Sequence, residues 1–141
     1  LEKENIFKLI HAIETVTNET VIKWTKSFQY NIGISPVLVL SELKAKGARK
    51  QTELANDLGY TPGAMTNIAT KLVKLGFAER QYNENDRRHV LLNITPKGIE
   101  VLKEAQRKGQ ELRLELFSVL TEEEIKQYLS IYEKLLNHMK K

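Results

Sequence analysis

The chain has 141 residues, 41% hydrophobic and 28% charged, the balance of an ordinary globular domain with a core of its own. It holds no cysteine, which excludes disulfides, cysteine zinc sites and thiol redox sensing, and no apolar run approaches the ~20 residues that a membrane helix needs. The net charge of +4 is unevenly spread: residues 44–98 carry ten Lys and Arg against five Asp and Glu, the rest twelve against thirteen.

Leu1-Glu2-Lys3-Glu4 shows no signal peptide, and opening on Leu1 rather than Met reads as a trimmed or disordered start. Residues 5–30 read as one long helix, with Ile6, Ile10, Ile13, Val21, Trp24 and Phe28 on its apolar side. That face is longer than one small core can cover, so part of it is expected at a subunit interface. Gly33 is expected to end this segment. Ser35-Pro36 then reads as a cap and first-turn proline opening a helix to about Lys46, which Gly47 stops.

The central stretch is the most informative. Residues 51–58 read as a short helix and Gly59-Tyr60-Thr61 as a tight turn. Pro62 then opens a second helix to Leu75, with Thr61 as its N-cap. Met65, Ile68, Leu72 and Leu75 make one apolar stripe; Gly63, Thr66, Asn67, Thr70 and Lys74 lie on the far side, with Lys71 at its edge. A helix that buries one side and shows small, hydrogen-bonding and basic residues on the other suits a DNA major groove. An ordinary helix pair with a solvated face has the same pattern.

After Gly76, residues 77–82 and 89–95 read as two strands joined by a polar loop that carries Arg87 and Arg88. Thr95-Pro96 opens a second long helix to about Leu120, with Gly109 a weak point in its middle. Thr121 and Glu124 make a capping box for a last helix, whose apolar side is Ile125, Leu129, Tyr132, Leu135, Leu136 and Met139.

Helix, helix, turn, helix and a basic-tipped hairpin make a winged helix-turn-helix. The fold class is therefore mainly α with a small β-hairpin wing, flanked by long N- and C-terminal helices. Helix 62–75 can present Gly63, Ala64, Thr66, Asn67 and Lys71 to a major groove, close behind the Thr61 cap. Gly63 and Ala64 let the backbone approach, and the Asn67 amide matches adenine. Arg87 and Arg88 can reach a neighbouring minor groove. Asp86 is expected to hold one of them by a charge-assisted hydrogen bond.

Order and spacing resemble the MarR family of bacterial transcription regulators. The resemblance rests on Glu53-Leu54-Ala55, the helix from Thr61 to Leu75, Gly76-Phe77-Ala78-Glu79-Arg80, Asp86-Arg87-Arg88 and Leu92-Asn93-Ile94-Thr95-Pro96-Lys97-Gly98. It covers nearly the whole chain, 1–141, as a single MarR-type domain. It implies a cytoplasmic homodimer held by helices at about 5–32 and 98–139, and a DNA-binding lobe at about 36–97. It also implies direct repression at a pseudo-palindromic operator on double-stranded DNA, often relieved by a small aromatic ligand; no cofactor is expected, and no residue is assigned to an effector. Four positions depart from the family pattern: Asn67 stands where many members have Arg, Glu84 where the wing often has Pro, and Arg49-Lys50 where a leucine and a hydroxyl cap are usual. Arg49 and Lys50 are accordingly expected to touch phosphate, at the cost of a weaker helix start. The absence of cysteine removes the chain from the peroxide-sensing branch.

Other assignments stay open on sequence. Trp24 packs the core or the dimer seam, or lines an effector crevice. Tyr60 packs against the motif or contacts DNA. Lys44, Lys46 and Lys97 lie near DNA or serve solubility. His11, His89 and His138 lack ligand spacing, so no metal site is expected. A protein-docking module on the same scaffold is the alternative to a DNA reader. No nucleophile–base arrangement or phosphate-cradling loop points to an enzyme.

Overall fold

The computed structural model describes residues 3–83 and 86–140, with the backbone alone for 83 and 86–89. Among the described residues six helices and three strands follow in order: α1 (Lys3–Ser27), α2 (Ile34–Lys46), β1 (Arg49–Lys50), α3 (Gln51–Leu58), α4 (Pro62–Lys74), β2 (Ala78–Asn83), β3 (Asp86–Ile94), α5 (Pro96–Phe117) and α6 (Glu122–Met139). None of the described helices is long and apolar enough to cross a membrane.

The expected hairpin is present, and a third strand joins it. The sheet is antiparallel in the order β1-β3-β2, with Arg49 opposite Leu92 and Ala78 opposite Ile94. Both hairpin strands run further into the polar loop than the residue types suggest, so Asn83 and Asp86 pair across it after an irregularity at Tyr82/Asn83. Cross-strand bonds join backbone groups, so once started they can continue through residues of any side-chain type.

Local chemistry sets most of the helix ends. Thr61 Oγ1 accepts from the Ala64 N–H at 3.1 Å, and Thr95 Oγ1 from the Gly98 N–H at 3.0 Å. At α6 the box closes both ways: Thr121 Oγ1 accepts from Glu124 N, and Glu124 Oε1 accepts from Thr121 N. Each bond satisfies an N–H that the helix itself leaves unpaired.

The third proline does not follow the same rule. α2 starts at Ile34, its N-cap is Gly33, and no side chain caps it. Ser35 is thus inside the helix, and Pro36 is its third residue. A proline is tolerated anywhere in a first turn, because those N–H groups have no intrahelical partner. Nor does Gly33 end the first helix: α1 closes at Ser27, six residues earlier.

One core runs through the molecule. Val39, Leu40, Leu43, Leu54, Met65, Leu72, Leu92, Val101 and Leu102 are at most 1% exposed. They come from α2, α3, α4, β3 and α5, so the core lies beneath the helix-turn-helix and ties it to the sheet. α1 contributes Trp24 alone to this core, and α6 contributes nothing. Ile6, Phe7, Leu9, Ile10 and Ile13 on α1, and the whole expected apolar side of α6, are exposed.

Candidate nucleic-acid interface

The face of α4 that the sequence assigns to DNA is open. Thr61, Gly63, Ala64, Thr66, Asn67, Thr70, Lys71 and Lys74 are all exposed, and Met65, Ala69 and Leu72 are buried on the opposite side. The buried line differs in detail from the expected stripe. Ala69 is fully buried, Ile68 is half-buried, and Leu75, at 38% exposure, is the C-cap rather than a core residue. The helix packs on residues 65, 69 and 72, a 4-then-3 spacing, which turns Leu75 outward.

Two hydroxyls on this face are already oriented. Thr66 Oγ1 donates to Pro62 O at 2.9 Å, which leaves its lone pairs for an incoming donor. Thr70 Oγ1 accepts from Arg80 Nη2 at 3.3 Å, so the first wing strand is tied to α4. Lys71 and Lys74 lie in the last turn, where the helix dipole favours cations. Asp86, Arg87 and Arg88 have their backbones in β3; their side chains, and the expected Asp86–arginine bond, lie outside the described residues.

Arg49 is not where the sequence suggested. Its Nη2 donates to Asp57 Oδ2 at 2.6 Å and its Nε to Glu53 Oε2 at 3.2 Å. The Asp57 hydrogen bond is the main influence raising the guanidinium pKa above its ordinary value, against the opposing effect of burial. Two of the guanidinium's three nitrogens are thus engaged by carboxylates. Its role is to fasten β1 to α3 and to neutralise two acids beside the reading helix. Lys50 is the N-cap of α3 and makes no side-chain cap bond, in line with the expected weaker start.

The structure also places several of the other open positions. Tyr60 packs against the core. Lys46 pairs with Glu42 at 3.1 Å, and Lys97 Nζ donates to Leu75 O at 3.2 Å. Trp24 packs in the core, the first of its readings. It is 6% exposed, stacks on Phe28 at 4.6 Å and donates its indole N–H to Ala105 O at 3.0 Å. One edge of it also lines a 540 Å³ cleft between α1, α2 and α5, with Val21, Leu38, Gly109, Arg113 and Phe117. Gly109 is therefore more than a weak point: it is buried beside Trp24, and a side chain there would narrow the cleft. Among the described residues no metal-binding cluster is found.

What sequence spacing missed is the pairing of Arg80 with Thr70 and of Lys97 with the Leu75 carbonyl. Arg80 is ten residues from Thr70 and Lys97 is twenty-two from Leu75, so neither pairing has a periodic signature. Arg49 had one: Glu53 and Asp57 lie at four and eight residues, on one face of α3.

Residues 34–90 match the MarR family model. The multiple antibiotic resistance protein MarR of Salmonella typhimurium is 34% identical over 99 residues, spanning 70% of this chain and 69% of that protein. The chain belongs to the MarR family. The HTH-type transcriptional repressor MdtR of Bacillus subtilis is 32% identical over 105 residues, spanning 73% of this chain and 68% of that protein. The apo crystal structure of wild-type MarR from E. coli superposes with a TM-score of 0.75 at 27% identity, covering 92% of this chain and 95% of that one. The winged helix-turn-helix expected from the element order is thus the observed fold, and MdtR is named as a transcriptional repressor.

Proposed function

We propose that the protein is a sequence-specific, DNA-binding transcription regulator of the MarR family, working in the cytoplasm as a homodimeric repressor. The observation that carries this is the exposed face of α4, from Gly63 to Lys74, over a buried line at Met65, Ala69 and Leu72. Helices at 5–32 and 98–139 serve the dimer, and the lobe at 36–97 reads DNA. The Thr61 cap, Gly63, Ala64, Thr66, Asn67 and Lys71 face the major groove; Arg87 and Arg88, steadied by Asp86, face the minor groove. Two such lobes suit a pseudo-palindromic operator with half-sites roughly 34–36 Å apart.

The cleft beside Trp24 supports relief by a small aromatic ligand. Its walls are mainly apolar, and Arg113 supplies a cation at one side. Selection of bound duplexes from a random pool, with and without aromatic acids, tests operator and effector together. A defined operator is expected, with enrichment reduced by an active ligand; recovery of no preferred sequence would refute the DNA-reading role.

Two substitutions test the assigned residues. Arg88→Ala should lower operator affinity by about tenfold, as loss of one charged DNA contact does; unchanged binding in a gel shift at moderate salt would remove the wing from the interface. Asn67→Ala should relax preference at one base pair, since a bidentate pair discriminates by about 1–3 kcal/mol. A uniform loss across all sequences would make Asn67 a positioning contact.

A further inference from the structure

Three consecutive carbonyls leave the end of α4, and the start of α5 bonds to all three. Leu75 O accepts from Lys97 Nζ at 3.2 Å. Gly76 O accepts from Thr95 Oγ1 at 2.6 Å. Phe77 O accepts from the Thr95 N–H at 3.1 Å. The Lys97 ammonium also lies 5.4 Å from the centre of the Phe77 ring, a distance at which a cation is attracted to an aromatic face. Of the three, Leu75 is the C-cap of α4, where the carbonyl lacks an intrahelical donor and the helix dipole leaves partial negative charge. Lys97 is thus held by the helix it follows in space, at the end opposite Gly63.

From this junction α5 runs along the cleft, which it lines through Ala105, Gly109 and Arg113. One continuous helix therefore grips the carboxyl end of α4 and forms a wall of the cleft. α4 has 13 residues, a length of roughly 20 Å. A tilt of about 5° at Leu75 would move Gly63 by about 1.6 Å. Base-edge hydrogen bonds work only over roughly 2.7–3.2 Å, so such a tilt breaks them. Long lysine and arginine side chains on phosphate adjust to it.

The geometry points to Lys97 as a positioning residue for sequence recognition: it fixes the pitch of α4 against α5, so that displacement of α5 reaches the reading face. This role rests on α4 being the DNA-reading helix proposed above. It differs from a phosphate contact in what its loss should do. Losing a phosphate contact weakens all DNA binding and flattens its salt dependence by about 0.9 per contact. Losing a positioning bond weakens only the preferred sequence.

The test uses the full chain as wild type, Lys97→Met and Lys97→Arg. Each is titrated across a salt series with a duplex selected by the wild type and with a scrambled duplex of the same composition. Circular dichroism at the assay temperature reports whether each chain is folded. Lys97→Met should lose about tenfold of its preference for the selected duplex, the scale of one charged hydrogen bond. Its affinity for the scrambled duplex and its salt slope should be unchanged, and Lys97→Arg should restore most of the preference. Should Lys97→Met unfold, Lys97→Gln carries the same comparison. An equal loss on both duplexes with a flatter slope would overturn the inference in favour of a phosphate contact. Wild-type preference in the Met variant would overturn it in favour of Thr95 alone. If the wild type itself selects no sequence, the DNA-reading role fails first, and this one with it.

Discussion

Leu129→Glu is expected to convert the protein to a monomer and to lower operator affinity by about 10²-fold or more. α6 is 18 residues long and buries none of them within its own chain. Leu129, Leu135, Leu136 and Met139 are each at least half exposed. Leucines facing water in this number mark an interface, and an isolated helix of this length is marginal in water. A second copy of the chain would cover these side chains together with the exposed apolar side of α1. A buried carboxylate at 129 would be left unpaired, which an interface tolerates poorly. The loss of DNA affinity follows from geometry. Two linked heads bind with an effective concentration that one head does not have, commonly worth about 10²–10⁴. Sedimentation should give twice the 16.3 kDa chain mass for the wild type and that mass for the variant. A wild type that sediments as a monomer yet binds a palindromic duplex tightly would remove the interface from the account.

Where the sequence was legible, the determining chemistry was local. Thr61-Pro62, Thr95-Pro96 and the Thr121/Glu124 box each carry their own hydrogen-bond partners within three residues, so their helices start where the residue types say. The exposed side of α1 was legible for the opposite reason: its apolar face is longer than one small core can cover, and Ile6, Ile10 and Ile13 face water. What failed was set by distant partners or by permissive chemistry. Pro36 permits a helix to begin two residues earlier, and Ile34 takes that option. Leu75 fits the apolar period, but Ala69 is small enough to lie fully buried between Met65 and Leu72, which sets the packed line. Arg49 looks like a phosphate ligand until α3 folds and brings Glu53 and Asp57 against it. Composition locates positive charge along the chain; only the tertiary structure tells which cations are already engaged.

Two glycine substitutions in the DNA-binding lobe and its junction should have opposite signs. Gly98 is the third residue of α5, where alanine would ordinarily favour a helix by about 1 kcal/mol. Here a Cβ would lie 2.0 Å from Phe77 O, 2.8 Å from Ile94 Cγ1 and 2.9 Å from Phe77 C. Two of those three atoms are backbone and cannot rotate aside, so α5 must move off the end of α4. That movement strains the bonds from Thr95 and Lys97 to Phe77 O, Gly76 O and Leu75 O. Gly98→Ala is therefore expected to destabilise by about 3 kcal/mol, the upper range for forcing atoms into a packed site. At Gly63, in the first turn of α4, an added Cβ would meet nothing within 4 Å, and Gly63→Ala should stabilise by up to about 1 kcal/mol. DNA binding should not follow stability in the second case. The added methyl stands on the face where close backbone approach is needed, so a more stable chain should bind its operator no better, or less well. Urea unfolding and a gel shift on both variants separate the effects; a Gly98→Ala chain as stable as the wild type would show that the α4–α5 junction is not tightly packed.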